Sequence, residues 1–204
     1  MPHEIDISCS HPTYSLNRSD LLETLYHGLR VENVGNAVLS VSVVDNLMMH
    51  RLNREHLQHD YPTDVISFQL EWTSGDGVAG LPSRLPTGRS TDANIEGEIV
   101  VNADFAAEMA KQCGWSTKDE LTLYAVHGML HICGYDDQTD DEKEIMRARE
   151  KAVLLGIGLR PQYPGLFRGD DYPSVGGAAH RASVADDGSS GSSELAAGPT
   201  EGTQ

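Results

Sequence analysis

The chain has 204 residues, 39% of them hydrophobic, which is enough for one domain with a proper core and some length to spare. A formal charge of −16 and a pI near 4.8 exclude a protein that coats duplex nucleic acid by simple charge neutralisation, because phosphate contacts come mainly from Lys and Arg. Any nucleic-acid role must therefore be local.

The opening MPHEIDISCS has no basic segment followed by an apolar run, and no apolar stretch approaches the roughly 20 residues of a membrane helix. A cytoplasmic protein with no membrane partner is expected. Cys9, Cys113 and Cys133 are odd in number and lack a CxxC pair, so they read as reduced thiols.

In chain order, β-branched alternation predicts strands over 4–9 and 37–44. A helix over 19–31 separates them, with Ser19 as its capping candidate, and a second helix follows over 45–57. Further strands are expected over 64–70 and 97–101. The stretch between them, residues 71–94, is full of Gly, Ser, Pro and Thr and reads as a mobile insertion. Three more helices are predicted over 102–113, 116–133 and 139–156. Ser116 can cap the first of the last two, and Thr139 with Glu142 gives the other a capping box.

From 158 onward, Gly, Ser, Ala, Pro and Asp dominate with few apolar anchors and no period. Such a segment cannot bury enough surface to offset its ordering entropy, so disorder is expected. The tail holds only a minor share of the negative charge; the acidity belongs to the body. The chain thus divides into a folded domain over 1–157 and an acidic tail over 158–204. Four strands interleaved with about five helices make an α+β or α/β sandwich.

The chemistry concentrates in HGMLHICGYDD, residues 127–137. His127 and His131 stand four apart on a predicted helix, so both imidazoles project from one face and can meet one Zn2+. Gly134 can take a left-handed conformation and reverse the chain. Asp137, three residues on, can then swing back as third ligand, with Asp136 as its rival. Three protein ligands and an open position describe a catalytic zinc site. Cys133 points to the opposite helix face and reads as core, while His50, His56 and His59 lack convergent partners. Zinc metalloproteases share the histidine spacing as H-E-x-x-H, but Gly128 stands where their general-base glutamate would be. A metallopeptidase is therefore a secondary reading.

Three segments in order carry a resemblance. HGMLHICGYDD is similar to H-G-x-L-H-L-x-G-Y-D-H, LNREHLQHDYPTDVISF is similar to a segment of LN, an Arg and P-T-D-V-L-S-F, and GEIVV matches G-[DE]-I-x-[IV]. Together they resemble the YbeY family of bacterial endoribonucleases, also called rRNA maturation factors. Met146, Glu150, Leu154 and Gly156 resemble that family's closing helix. The resemblance covers residues 4 to about 157.

It implies a zincin-like α+β fold, a four-stranded mixed sheet packed with about five helices. It also implies a metal-dependent RNase that prefers single strands, matures the 3′ end of 16S rRNA in the small subunit, and serves ribosome quality control. By position, His127 and His131 are metal ligands of one zinc ion per chain, and Asp137 replaces the family's third histidine. That exchange lowers the net charge of the centre and weakens its power to acidify water. Thr63, Asp64 and Ser67, with Phe68, form the strand beside the site, where strand start plus core is an equal reading to RNA contact. The family's basic residue aligns with Leu57, and Arg51 and Arg54 on the same helix are candidates to compensate. Weaker cleavage than the family norm is expected.

For the chemistry, His127 is expected to act through the metal, and Glu98 and Asp136 are candidate proton acceptors. The expected partners are single-stranded RNA, small-subunit ribosomal RNA and the ribosome, without DNA. Single strands suit an acidic protein, since stacking and a small groove can replace an extended basic face. A ribosome assembly factor with a structural metal and little catalysis is the alternative from another class.

Overall fold

The computed structural model describes residues 3–74, 92–163 and the short strand over 181–183. Strands form where buried and exposed residues alternate. The elements run β1 (Glu4–Cys9), α1 (Arg18–Val31), β2 (Asn36–Val44), α2 (Asn46–Leu57), β3 (Val65–Thr73), β4 (Asn94–Asn102), α3 (Ala103–Cys113), α4 (Thr117–Ile132), α5 (Asp140–Gly156) and β5 (Arg181–Ser183).

The expected four strands and five helices are all present, in an α+β arrangement. The sheet order is β1-β2-β4-β3-β5. β2 pairs in parallel with β1 and β4, β3 runs antiparallel to β4, and β5 pairs in parallel with β3. β5 falls within the segment expected to be unstructured; residues 164–180 and 184–204 lie outside the described residues. So do residues 75–91 of the expected mobile insertion. Its flanks are strand instead: antiparallel pairing continues past a bulge at Gln69/Glu71 to Thr73 and Asn94.

The helix starts follow local capping chemistry. Ser116 and Thr139 cap α4 and α5 as expected, the latter in a capping box with Glu142. For α1 the cap is Asn17, not Ser19; the Asn17 side chain accepts the Asp20 N–H, and Ser19 lies in the first turn. Past α5, Leu159 and Tyr163 pack against the main core, so ordered packing extends beyond the boundary expected at 157.

The two sheet faces differ. On one, α4 lies across β3 and β4 and α1 meets β1, with α5 packed on α1 and α4, around a core that includes Leu39, Val41, Ile95, Ile99 and Val101. On the other, α2 covers a smaller cluster of Val44, Ile66 and Val100 with Met49, Leu52 and Leu57. α4 is buried almost all round and lies close on the strands because two glycines meet there. A Cβ on Gly128 would come 2.7 Å from Ile99 Cγ2, and one on Gly97 would come 2.6 Å from Ile132 Cδ1. This central helix carries both histidines, an arrangement compatible with the zincin-like reading. Among the described residues, no helix is long and apolar enough to cross a membrane.

Candidate metal centre

The end of α4 sets the geometry. Tyr135 N–H donates to the Leu130 carbonyl at 3.1 Å and Gly134 N–H to that of His131 at 2.9 Å. Gly134 has φ +100°, a left-handed value that glycine takes without strain. The chain reverses, and Asp136 Oδ1 accepts the Asp137 N–H at 2.9 Å. Asp137 is thereby returned to the helix: Oδ2 lies 3.8 Å from His127 Nε2, and Oδ1 lies 3.8 Å from His131 Nε2. One ligand atom from each of His127, His131 and Asp137 falls within 4.8 Å of the other two, so the group could hold a metal ion. Asp136 shapes the turn and is not part of that group.

Both imidazoles are oriented from behind. His131 Nδ1 lies 3.0 Å from the Tyr135 carbonyl, which can only accept, so this nitrogen carries the proton. His127 Nδ1 lies 2.6 Å from Glu150 Oε1 and donates to that carboxylate, whose Oε2 accepts the Tyr163 hydroxyl at 2.7 Å. With each Nδ1 committed, the two Nε2 atoms face one another at 2.9 Å. Beside them lies a buried Asp137 Oδ1 without a hydrogen-bond partner, so the pair is satisfied either by one proton shared between the rings or by a metal cation in its place. The donor set of two imidazoles and one carboxylate, with the rear nitrogens held by a carboxylate and a carbonyl, fits zinc.

The charges agree. Burial opposes protonation of His127, yet the hydrogen bond and charge of Glu150, with Asp137 and Asp64, raise its pKa overall. Burial, chiefly, raises that of Asp137, reinforced by Asp136, Asp64 and Glu150 against the opposing effect of His127. Burial and the Glu150 charge push the Tyr163 phenol upward, which keeps it a donor. His131 is 1% exposed at the floor, whereas the His127 and Asp137 side chains retain 14% and 16% at the open side.

The family model described as Endoribonuclease YbeY matches residues 6–158. The chain belongs to this family. A YbeY endoribonuclease of Salinibacter ruber is 34% identical over 156 residues, spanning 76% of this chain and 93% of the relative. That of Bacillus subtilis is 37% identical over 124 residues, spanning 61% and 74%. A solution structure from Thermotoga maritima covers 76% of this chain and 91% of its own, at 23% identity and a TM-score of 0.46.

Glu98 is exposed on β4, and period-two alternation turns it away from Gly97 and Ile99, the residues that meet α4. It therefore lies on the other sheet face from the histidines, which removes it as a nearby proton acceptor. Asp64 is close enough for its charge to act on both His127 and Asp137; its Oδ1 accepts from Thr63 Oγ1 and Val65 N–H. Thr63 and Ser67 are 5% and 1% exposed, so they read as strand and core and not as RNA contacts. Arg51 and Arg54 are exposed on α2, with Arg51 pairing with Glu55 at 3.8 Å. Leu57, the position where the sequence reading expected a basic residue, packs against the small cluster of Val44, Met49, Ile66 and Val100.

Two contributors escaped the sequence reading. Glu150 stood out only as part of a familiar closing helix, with no role attached. Tyr163 lay in a segment whose composition read as tail.

Proposed function

We propose that the protein is a metal-dependent endoribonuclease that cleaves single-stranded RNA, matures small-subunit ribosomal RNA at the 16S 3′ end, and takes part in ribosome quality control in the cytoplasm. Family membership supports RNA as the substrate and endonucleolytic hydrolysis as the reaction. The observation that carries the metal is the pair of Nε2 atoms facing each other at 2.9 Å beside Asp137, each with its Nδ1 already engaged. His127, His131 and Asp137 would hold one zinc ion. When bound, the ion supplies Lewis acidity toward a phosphoryl oxygen and toward water.

The protein's own residues do the rest. Glu150 and the Tyr135 carbonyl fix the two rings. Asp64 and Asp136 are the carboxylates near the open side that are available to take a proton. Asp137 replaces a neutral ligand with a charged one, which favours retention of the cation and softens its acidity. RNA reaches the centre from the His127 and Asp137 side, because His131 is closed off.

The peptidase reading loses ground on geometry. Position 128 faces Ile99 and Val65 on the sheet, with no room even for a Cβ, so a general-base glutamate has no place there. The assembly-factor reading draws on Leu57, which puts an apolar side chain where the family carries its phosphate-binding arginine.

Incubating the untagged protein with an unstructured RNA oligonucleotide, a duplex RNA and a DNA strand tests the proposal, with and without excess chelator. Internal cleavage of the unstructured RNA alone, abolished by chelator and by Asp137→Ala, is expected. Equal products in chelator would refute the metal mechanism. Ribosome co-sedimentation without any cleavage would favour the assembly factor.

A further inference from the structure

Arg149 and Glu150 are neighbours on α5, and their side chains part. Glu150 goes to His127, and the route taken by Arg149 ends at His131. The guanidinium donates to Glu32 Oε1 from Nε at 3.0 Å and from Nη2 at 2.7 Å, and Nη2 also reaches the Val31 carbonyl at 3.4 Å. The other oxygen, Glu32 Oε2, accepts the Tyr135 hydroxyl at 2.6 Å. The carbonyl of that same tyrosine accepts His131 Nδ1–H at 3.0 Å.

Local stability does not account for Glu32. It caps the C-terminal end of α1, where the helix dipole disfavours an anion, and it is 1% exposed. A buried ion pair is a weak source of stability, because desolvation offsets most of the attraction. What the pair does is pin one residue. Tyr135 is 4% exposed and held at three points: its N–H on Leu130, its hydroxyl on Glu32 and its carbonyl under His131. It stands between two ligands in sequence, so fixing it fixes the tautomer of His131 and the start of the turn that returns Asp137.

We propose that Glu32 and Arg149 are positioning residues of the metal centre that act through Tyr135. Together with Glu150 they make α5 the support of both histidines, by two independent routes. This inference rests on the metal-centre reading above and goes beyond it.

The test uses the full chain with Tyr135→Phe, which keeps the ring and deletes the hydroxyl, then Glu32→Gln and the two combined. Zinc affinity is measured by competition with a chromophoric chelator. The His131 tautomer is read from imidazole nitrogen shifts in metal-free protein. Tyr135→Phe should raise the zinc dissociation constant by about 10- to 100-fold, in line with losses seen when groups behind a ligand are removed. His131 should also lose its single Nδ1–H tautomer. Adding Glu32→Gln to Tyr135→Phe should weaken binding little further, because both act on one chain of contacts. Unchanged zinc affinity and an unchanged tautomer in Tyr135→Phe would overturn the proposal, as would a fully multiplicative loss in the double variant. Tyr135→Phe alone decides if Glu32→Gln fails to fold. A wild-type protein that binds no zinc would refute the metal-centre reading instead, and the tautomer comparison would still judge the positioning route.

Discussion

Glu150 Oε1 lies 2.6 Å from His127 Nδ1, although 23 residues separate the two in sequence. The carboxylate is 6% exposed, and its second oxygen is taken by Tyr163. Its charge makes the imidazole a better donor toward a cation and fixes which nitrogen faces that cation. Glu150→Gln keeps the size and one acceptor oxygen but removes the charge. Zinc affinity measured by chelator competition should fall by about 10-fold or more, with RNA cleavage falling in parallel at limiting zinc. Tyr163→Phe should give a smaller loss in the same direction. Wild-type affinity in Glu150→Gln would show that the hydrogen bond holds the fold and not the ligand.

A methyl group at position 128 should be felt at the metal centre. In Gly128→Ala the new carbon would lie 2.7 Å from Ile99 Cγ2 and 3.1 Å from Val65 Cγ2. Both neighbours are β-branched and sit in paired strands, so neither can turn aside cheaply. α4 must lift, at a cost of about 1–3 kcal/mol for overpacking. For a domain of this size the melting midpoint should drop by about 2–4 °C per kcal/mol. Calorimetry and zinc titration on the same sample check the prediction: a stability loss with no change in zinc affinity would mean that the helix absorbs the strain without moving its histidines.

How far the sequence could be read depended on how local each cause is. Strand alternation and the caps at Ser116 and Thr139 act within a few residues, and those elements appear where expected. Asn17 and Ser19 are comparable caps two residues apart, and only the observed bond to Asp20 N–H chooses between them. The continuation of β3 and β4 to Thr73 and Asn94 depends on their pairing with each other, which no periodicity in a Gly- and Ser-rich stretch reveals. In the site, the histidine pair and the glycine turn were legible because both are short-range. Glu150, Tyr163 and Glu32 were not, since they meet the centre only after α5 and α1 pack on α4. Gly128 was read as a missing glutamate, and the sheet beneath it explains why nothing larger stands there.

Leu57→Arg tests whether a basic residue at this position, as the sequence reading expected, would raise activity. Leu57 is partly buried against Val44, Met49, Ile66 and Val100. An arginine stem can lie along the same surface while the guanidinium reaches water, so the chain should still fold, at a loss of about 1 kcal/mol of apolar burial. Cleavage of unstructured RNA should rise, with a steeper dependence on salt because a phosphate contact has been added. An unchanged rate and salt slope in a folded variant would show that the guanidinium has no phosphate to meet.

Acid should unfasten the junction of α2 and α3 through Asp104. Its Oδ2 accepts the Asn46 N–H at 2.9 Å, and its Oδ1 lies 3.1 Å from His11 Nε2. The Asn46 hydrogen bond is the main cause that holds this carboxyl below its ordinary pKa; burial opposes it, and the bond to and charge of His11 assist. A carboxylate depressed in the folded state stabilises the protein fully above its unfolded pKa, near 3.8, and the contribution disappears as pH falls through the lower folded value. The melting midpoint of wild type should therefore exceed that of Asp104→Asn at pH 5, where the carboxylate is ionised and its bond to the Asn46 N–H is intact. That margin should shrink as the pH drops below about 4. Thermal unfolding of both proteins across that range measures it, and a margin that stays constant into strong acid would mean that Asp104 contributes through its shape and not through its charge.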